Sequence, residues 1–244
     1  MEPELIARYI PIHEVDQAGK PVGFPVPASP EPQRPSGNLF GTYCRLEPLS
    51  AEQHAADLFE AFSGHNELWT YMPHGPFTSE AEFRDWVISR EAGTDPLFYA
   101  IIDLDTGKAT GVASYLRIDP PARSIEVGWI TYSPVLQRSR VATDAMFVMM
   151  RNAFDLGYRR YEWKCNALNQ ISRKAALRLG MTYEGTFRQA TVVKGRNRDT
   201  AWFSILDSEW PTMRHNFEDW LSESNFDQSG QQLTRLRPLG VDPE

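Results

Sequence analysis

The stretch from Ser133 to Met146 constrains this chain more than anything else in it. Before it, Ser124–Tyr132 reads as a strand; beyond its turn, Thr143–Leu156 has the spacing of an amphipathic helix. Pro134 ends the strand, because proline has no N–H to give to a ladder. Small and polar residues then carry the chain into the helix, whose first N–H groups lack partners and sit at the positive end of its dipole. Such an end suits phosphate, and Arg138 and Arg140 add full positive charge beside it. Taken alone, the segment reads more readily as an ordinary strand-to-helix connection with two solvated arginines.

The rest of the chain alternates regularly between the two periodicities. Strands are predicted over residues 41–48, 97–103, 108–118, 124–132, 159–164, 182–189 and 199–206. Ser50 is placed to cap a helix running to about Ser63, and Ser79 with Glu82 forms the spacing of a capping box ahead of Phe83, Trp86 and Val87. A short helix follows Asn169-Gln170-Ile171-Ser172 and ends at Leu179-Gly180-Met181. Periodicity supports a mixed α+β sheet and no more than that. Residues 1–40 hold eight of the eighteen prolines, which favours an extended arm. Its apolar residues, among them Leu5, Ile6, Tyr9, Ile10 and Phe24, suit packing on the core or on a neighbour, with a loose tail as the alternative. Residues 212–244 read as a polar extension with a last helical turn or two over Met213–Leu221. The expected organisation is an arm over 1–40, a central domain over 41–211 and a C-terminal extension over 212–244.

Composition excludes several classes. A net charge of −7 argues against a nucleic-acid partner. No window approaches the ~18 apolar residues of a membrane span, so no membrane partner is expected, and the first residues lack the apolar core of a secretory leader. Two cysteines, Cys44 and Cys165, make no disulfide framework, which fits a cytoplasmic location. The five histidines have no metal-ligand spacing, so no metal is expected. Neither a dinucleotide fingerprint nor a Walker lysine is present.

The basic strand-to-helix turn and the later Asn-x-x-Ser, in this order, resemble the GNAT superfamily of acetyl-CoA-dependent N-acetyltransferases. The nearest branch is RimJ/RimL-like, which acetylates protein N-termini and other amines. The likeness covers roughly residues 40–210 and includes the strand ending Ser204-Ile205-Leu206-Asp207-Ser208-Glu209-Trp210. It implies a mixed, mostly antiparallel central sheet flanked by helices, with a gap between strands 124–132 and 159–165 that receives the pantetheine of acetyl-CoA. In that frame Ile130 and Tyr132 offer main-chain groups to pantetheine, while Gln137, Arg138, Ser139, Arg140, Val141, Ala142 and Thr143 wrap the pyrophosphate. The family pattern here is Gln/Arg-x-x-Gly-x-Gly/Ala, and Arg140 stands at its first glycine. An arginine requires a right-handed backbone there and could gain a phosphate contact instead.

By the same resemblance Asn169 meets the cofactor and Ser172 lies near the thioester sulfur, although both also suit helix capping. Glu126 matches the glutamate that takes the amine proton. A solvated or salt-bridged strand carboxylate is the plainer alternative, and His65, His74 and Glu162 are rival bases. A base matters for a lysine-type amine of pKa about 10.4, and less for an α-amine near 8. The aromatic loop with Trp69, Tyr71 and His74 lies where the family shapes its acceptor pocket. The implied activity is transfer of acetyl from acetyl-CoA to a small-molecule amine or peptide N-terminus, by direct attack in a ternary complex. A homodimer is left open. A catalytically silent acyl-CoA-binding module, which Arg140 in place of glycine would favour, and a peptide- or ribosome-docking protein are the alternatives.

Overall fold

The structure is a computed structural model that describes residues 12–237. The chain divides into two compact units, residues 1–30 and 31–244. In the first, β1 (His13–Val15) and β2 (Pro21–Gly23) pair antiparallel as a hairpin with exposed residues. Asp16 closes its turn by accepting from the N–H groups of Ala18 and Lys20. Leu5, Ile6, Tyr9 and Ile10, which the sequence suggested as packing residues, lie outside the described residues.

The second unit runs β3 (Leu39–Phe40), β4 (Cys44–Pro48), α1 (Ala51–Phe62), α2 (Glu80–Glu91), β5 (Leu97–Asp103), β6 (Ala109–Asp119) and β7 (Ser124–Tyr132). It continues with α3 (Arg140–Asp155), β8 (Arg160–Asn166), α4 (Gln170–Arg178), β9 (Thr182–Val193), β10 (Arg196–Leu206) and α5 (Trp210–Leu221). Eight strands form one sheet in the order β3-β4-β5-β6-β7-β8-β10-β9. Every neighbouring pair is antiparallel except β7 with β8. This is the mixed, mostly antiparallel α+β architecture that the sequence predicts.

The period of two along each strand builds two cores. Phe98, Ala100 and Ile102 pack with α1 and α2, while Tyr99 and Ile101 join the larger core with α3 and α5. The predicted caps are in place: Ser50 accepts from the Gln53 N–H and Ser79 from that of Glu82. The Glu82 carboxylate reaches back to Thr78, one residue before the cap.

Four differences from the sequence reading have clear causes. Helix α3 starts at Arg140, three residues before the predicted Thr143, because Ser139 caps it through the Ala142 N–H at 3.0 Å. The last hairpin is longer than predicted at its tip. Lys194 and Gly195 both adopt positive φ, 48° and 71°, and connect β9 to β10 with the backbone that a two-residue hairpin turn requires. Its outer half is polar and exposed, so hydrophobic alternation could not reveal it. The C-terminal segment also starts earlier than Met213 and is no loose polar appendage. Trp210, Met213, Phe217, Trp220 and Leu221 form the buried stripe of α5, with Phe217 stacked on Phe147 of α3. At the other end, Pro32, Pro35 and Leu39 are buried, so residues 31–40 belong to this unit and not to a separate arm.

Candidate functional site

Strands β7 and β8 are in register from Ser124↔Arg160 to Val127↔Trp163, and there the pairing stops. On its other edge β7 carries a bulge, since Gly128 opposes Ser114 while Thr131 opposes Val112. Trp129 lies in that bulge at φ +52°. Extra residues on one strand bend it, and the bend turns Gly128–Tyr132 away from β8. Gly128 lies close to Leu116, whose terminal methyl would have to shift for a Cβ, which would lie 2.9 Å from it.

A cavity of about 210 Å³ opens at this parting. Glu126 and Lys164 line it from one face of the sheet. Trp163 and Cys165, whose neighbours in β8 alternate to the other face, line it with Asn169 and Ser172 of the α4 start. The cavity therefore passes through the sheet. It brings together Glu126, Ile130, Tyr71, Asn169 and Ser172 from the predicted set.

Glu126 is buried in the β7–β8 pairing, with Ile125 and Val127 turned into the larger core. Its Oε2 accepts from Lys164 Nζ at 2.7 Å and lies 3.4 Å from Arg117. Burial pushes its carboxyl above the ordinary range, and the two cations offset this only partly. Its neighbour across the ladder, Glu162, is also partly desolvated. There the hydrogen bonds from Arg160 and Lys164 win, holding the carboxyl below the ordinary range. Lys164 is shared by both carboxylates and sits 3.5 Å from the centre of the Trp202 ring. The salt-bridged alternative for Glu126 is thus present, through Lys164 and Arg117. It is compatible with a cavity-lining role.

Asn169 caps α4, its Oδ1 accepting from the Ser172 N–H at 3.1 Å. Ser172 is inside the first turn, not at the cap, and its hydroxyl oxygen accepts from the Trp163 indole at 3.0 Å. Its hydroxyl also lies within hydrogen-bond reach of the Cys165 thiol.

The Gln137–Thr143 turn follows β7 directly. Gln137 closes it by donating its side-chain N–H to the Tyr132 carbonyl at 2.9 Å. Tyr132 itself is only partly exposed, and its phenol reaches toward the Ala142 carbonyl. Positive φ falls on Arg138, at 60°, while Arg140 begins the helix in a right-handed conformation. The Arg140 guanidinium stacks on Tyr43 at 4.3 Å and pairs with Asp105 at 3.3 Å. Its predicted phosphate role therefore competes with two internal partners. Arg138 has no ion pair among the described residues. Val141 is buried along the helix and Thr143 accepts from Arg178 at 3.1 Å. The N–H groups of Arg140 and Val141, at the first helical positions, have no carbonyl a turn before them to reach.

The aromatic loop divides. Tyr71 lines the cavity and donates to the Leu168 carbonyl at 3.2 Å. Trp69 and His74 do not line it, contrary to the sequence expectation. Trp69 is 3% exposed, packed against Phe62 and Phe77. Gly75 presses on its indole, where a Cβ would meet ring carbon at 2.7 Å. His74 is stacked between Trp86 and Trp129, and burial lowers its pKa to about 4. It is thus neutral at pH 7 and a weak base. His65, another rival, is exposed beside Glu67 and away from the cavity.

Lys164, Arg117, Trp163 and Arg198 were missed. For Lys164 a signal existed: Arg160, Glu162 and Lys164 alternate with Tyr161, Trp163 and Cys165, which puts a row of charges on one face of a central strand. Nothing comparable marks Arg198.

The acetyltransferase (GNAT) domain model matches residues 44–182. The chain belongs to the GNAT acetyltransferase family. A GCN5-related N-acetyltransferase from Brucella melitensis shares 47% identity over 85% of this chain and 94% of its own, with a TM-score of 0.81. A GNAT-family chain from Chromobacterium violaceum shares 39% identity over 79% of this chain and 99% of its own, with a TM-score of 0.73. The microcin C7 self-immunity acetyltransferase MccE, crystallised with acetyl-CoA and AMP, has the same fold at 20% identity and a TM-score of 0.60, over 68% of this chain and 93% of its own. No curated protein matches the chain. GNAT acetyltransferases use acetyl-CoA as donor. Among the described residues of this GNAT chain, no helix is long and apolar enough to cross a membrane.

Proposed function

We propose that this GNAT chain is an N-acetyltransferase that moves acetyl from acetyl-CoA to a primary amine by direct attack in a ternary complex. The observation that carries the reading is the single cavity through the β7–β8 parting, with Glu126 on one side and Ser172 on the other. The freed strand edge around Ile130 gives an amide-rich pantetheine the partners that β8 does not provide. The Gln137–Thr143 turn offers the helix N-terminus and Arg138 to the diphosphate. The departure at Arg140 loses its weight in favour of a silent module, since the backbone there is right-handed and unstrained.

In this reading Glu126 takes the proton of the incoming ammonium, directly or through a water. A raised carboxyl pKa suits that task better than the lowered one of Glu162. The amine nitrogen bonds to the thioester carbonyl carbon, the carbon–sulfur bond breaks, the thiolate leaves on the Ser172 side of the cavity, and the nitrogen's surplus proton passes to that thiolate to give the neutral amide and the CoA thiol. Lys164 and Arg117 hold Glu126 in one orientation. Acceptor and thioester meet in one cleft, so proximity supplies much of the acceleration. The RimJ/RimL-like branch, with peptide N-termini as acceptors, rests on the sequence resemblance alone.

The test is CoA release from acetyl-CoA with a panel of amines, for wild type and Glu126→Gln. The variant should lose about 100-fold in rate with an alkylamine at pH 7 while keeping acetyl-CoA affinity, and the deficit should narrow as pH rises. A variant with the wild-type pH–rate profile would reject Glu126 as the base.

A further inference from the structure

The cavity holds three charged side chains, Glu126, Lys164 and Arg198. The first two are paired with one another. Arg198 has no carboxylate within ion-pair distance among the described residues, and its Nε–H is buried without a hydrogen-bond partner. A buried, unmatched donor on a permanently charged group is costly and calls for an explanation. Arg198 also stands where the β9–β10 ladder slips register, between Arg198↔Thr191 and Thr200↔Phe187. The extra residues, 188–190, lie on β9 opposite Asp199, and such irregularities recur beside active sites.

The surroundings reinforce the charge. Asn166, which lines the same cavity, gives its Oδ1 to the Leu168 N–H, so its NH2 end is the one left for a ligand. The whole chain carries −7, so a positive cavity is a local feature and not a general attraction for anions. At about 210 Å³ the space equals roughly seven waters, enough for a small molecule or one terminal residue.

We infer that Arg198 recognises an anionic group carried by the acceptor, so that the preferred substrate is an amine bearing a carboxylate or phosphate a few bonds from its nitrogen. The guanidinium fork matches either group through two parallel hydrogen bonds. Glu126 then faces the amine end and Arg198 the acid end of one small molecule. This deepens the acetyltransferase reading and rests on it.

The experiment compares 4-aminobutyrate, its uncharged amide and 3-aminopropylphosphonate as acceptors, for wild type, Arg198→Gln and Arg198→Lys. A peptide amide beginning with aspartate, set against one beginning with asparagine, separates a free small molecule from an acidic peptide end as the source of the anion. Wild type should prefer each anionic member of a pair by at least about tenfold in kcat/KM. Arg198→Gln should level the preference through KM, with acetyl-CoA affinity unchanged, and Arg198→Lys should restore part of it. Equal use of charged and uncharged acceptors by wild type, or an equal loss for both in Arg198→Gln, overturns the inference. Should no amine release CoA, the transferase reading fails, and binding decides Arg198 separately. Quenching of tryptophan fluorescence by 4-aminobutyrate with CoA present must then weaken in Arg198→Gln, and identical titrations overturn the assignment.

Discussion

The two ends of the cleft are built on opposite plans. At the Gln137–Thr143 end the chain offers main-chain N–H groups from one continuous turn, tightened by neighbours a few residues away. At the acceptor end the cavity is walled by side chains from the loop after α1, from β7, β8 and the start of α4, and by Arg198 of β10. A site made of backbone tolerates side-chain change and keeps one kind of ligand. A site made of converging side chains alters its preference with each substitution. The first end therefore suits a donor common to a family, and the second an acceptor that differs between members.

The contrast is most exposed to failure at Lys164. Removing it leaves Glu126 and Glu162 facing each other without their shared cation. Lys164→Met should cost about 3–5 kcal/mol of stability, the usual penalty for stripping one partner from a buried pair. It should also move the acid limb of the pH–rate profile upward, because the cation that lowers the Glu126 pKa is gone. Chemical denaturation and a pH profile on the folded fraction check both. A loss of stability with an unmoved limb would detach Lys164 from the base. Next in size is Arg138→Glu, which should weaken acetyl-CoA binding at least about tenfold and flatten its salt dependence. Arg140→Gln should do less, since its guanidinium is engaged with Tyr43 and Asp105. Calorimetry at two salt concentrations ranks them, and the reverse order would restore Arg140 as the phosphate contact. The smallest effect separates the two residues at the start of α4. Asn169→Ala should lower stability by about 1 kcal/mol as a lost cap. Ser172→Ala should lower stability by about 1–3 kcal/mol, because the buried Trp163 indole N–H loses its acceptor, and should slow turnover about tenfold or less, because a thiolate of pKa about 8.5 is already a fair leaving group. Melting curves and single-turnover rates on both variants give the comparison, and unchanged turnover in Ser172→Ala removes it from the chemistry.

The same division explains what could be read from the sequence. The strand, Pro134 and the helix are local events, so the turn was legible as one motif, although the cap at Ser139 and the helix start it sets were not. Glu126 and Ser172 were found by their place in a family pattern. Arg198 lines the cavity from an exposed hairpin late in the chain, beside a register slip whose extra residues lie on β9, and no local pattern marks which residue of that hairpin borders the cavity. Trp69 and His74 were misplaced for a related reason. Aromatic residues in a loop look alike whether they face a ligand or fill a core, and only the stack of His74 between Trp86 and Trp129 tells them apart.

The lone parallel pairing of the sheet also affects the order in which the protein comes into being. Antiparallel neighbours can form as the chain emerges, each hairpin closing on the one before. Parallel neighbours need a crossover, and here residues 133–159 must be made and laid across the sheet before β8 can take its place beside β7. A nascent chain halted before Arg160 would own most of one wall of the cleft and all of α3, but no second wall. The donor could not hold such a chain, so ligand would protect only molecules that had completed the crossover.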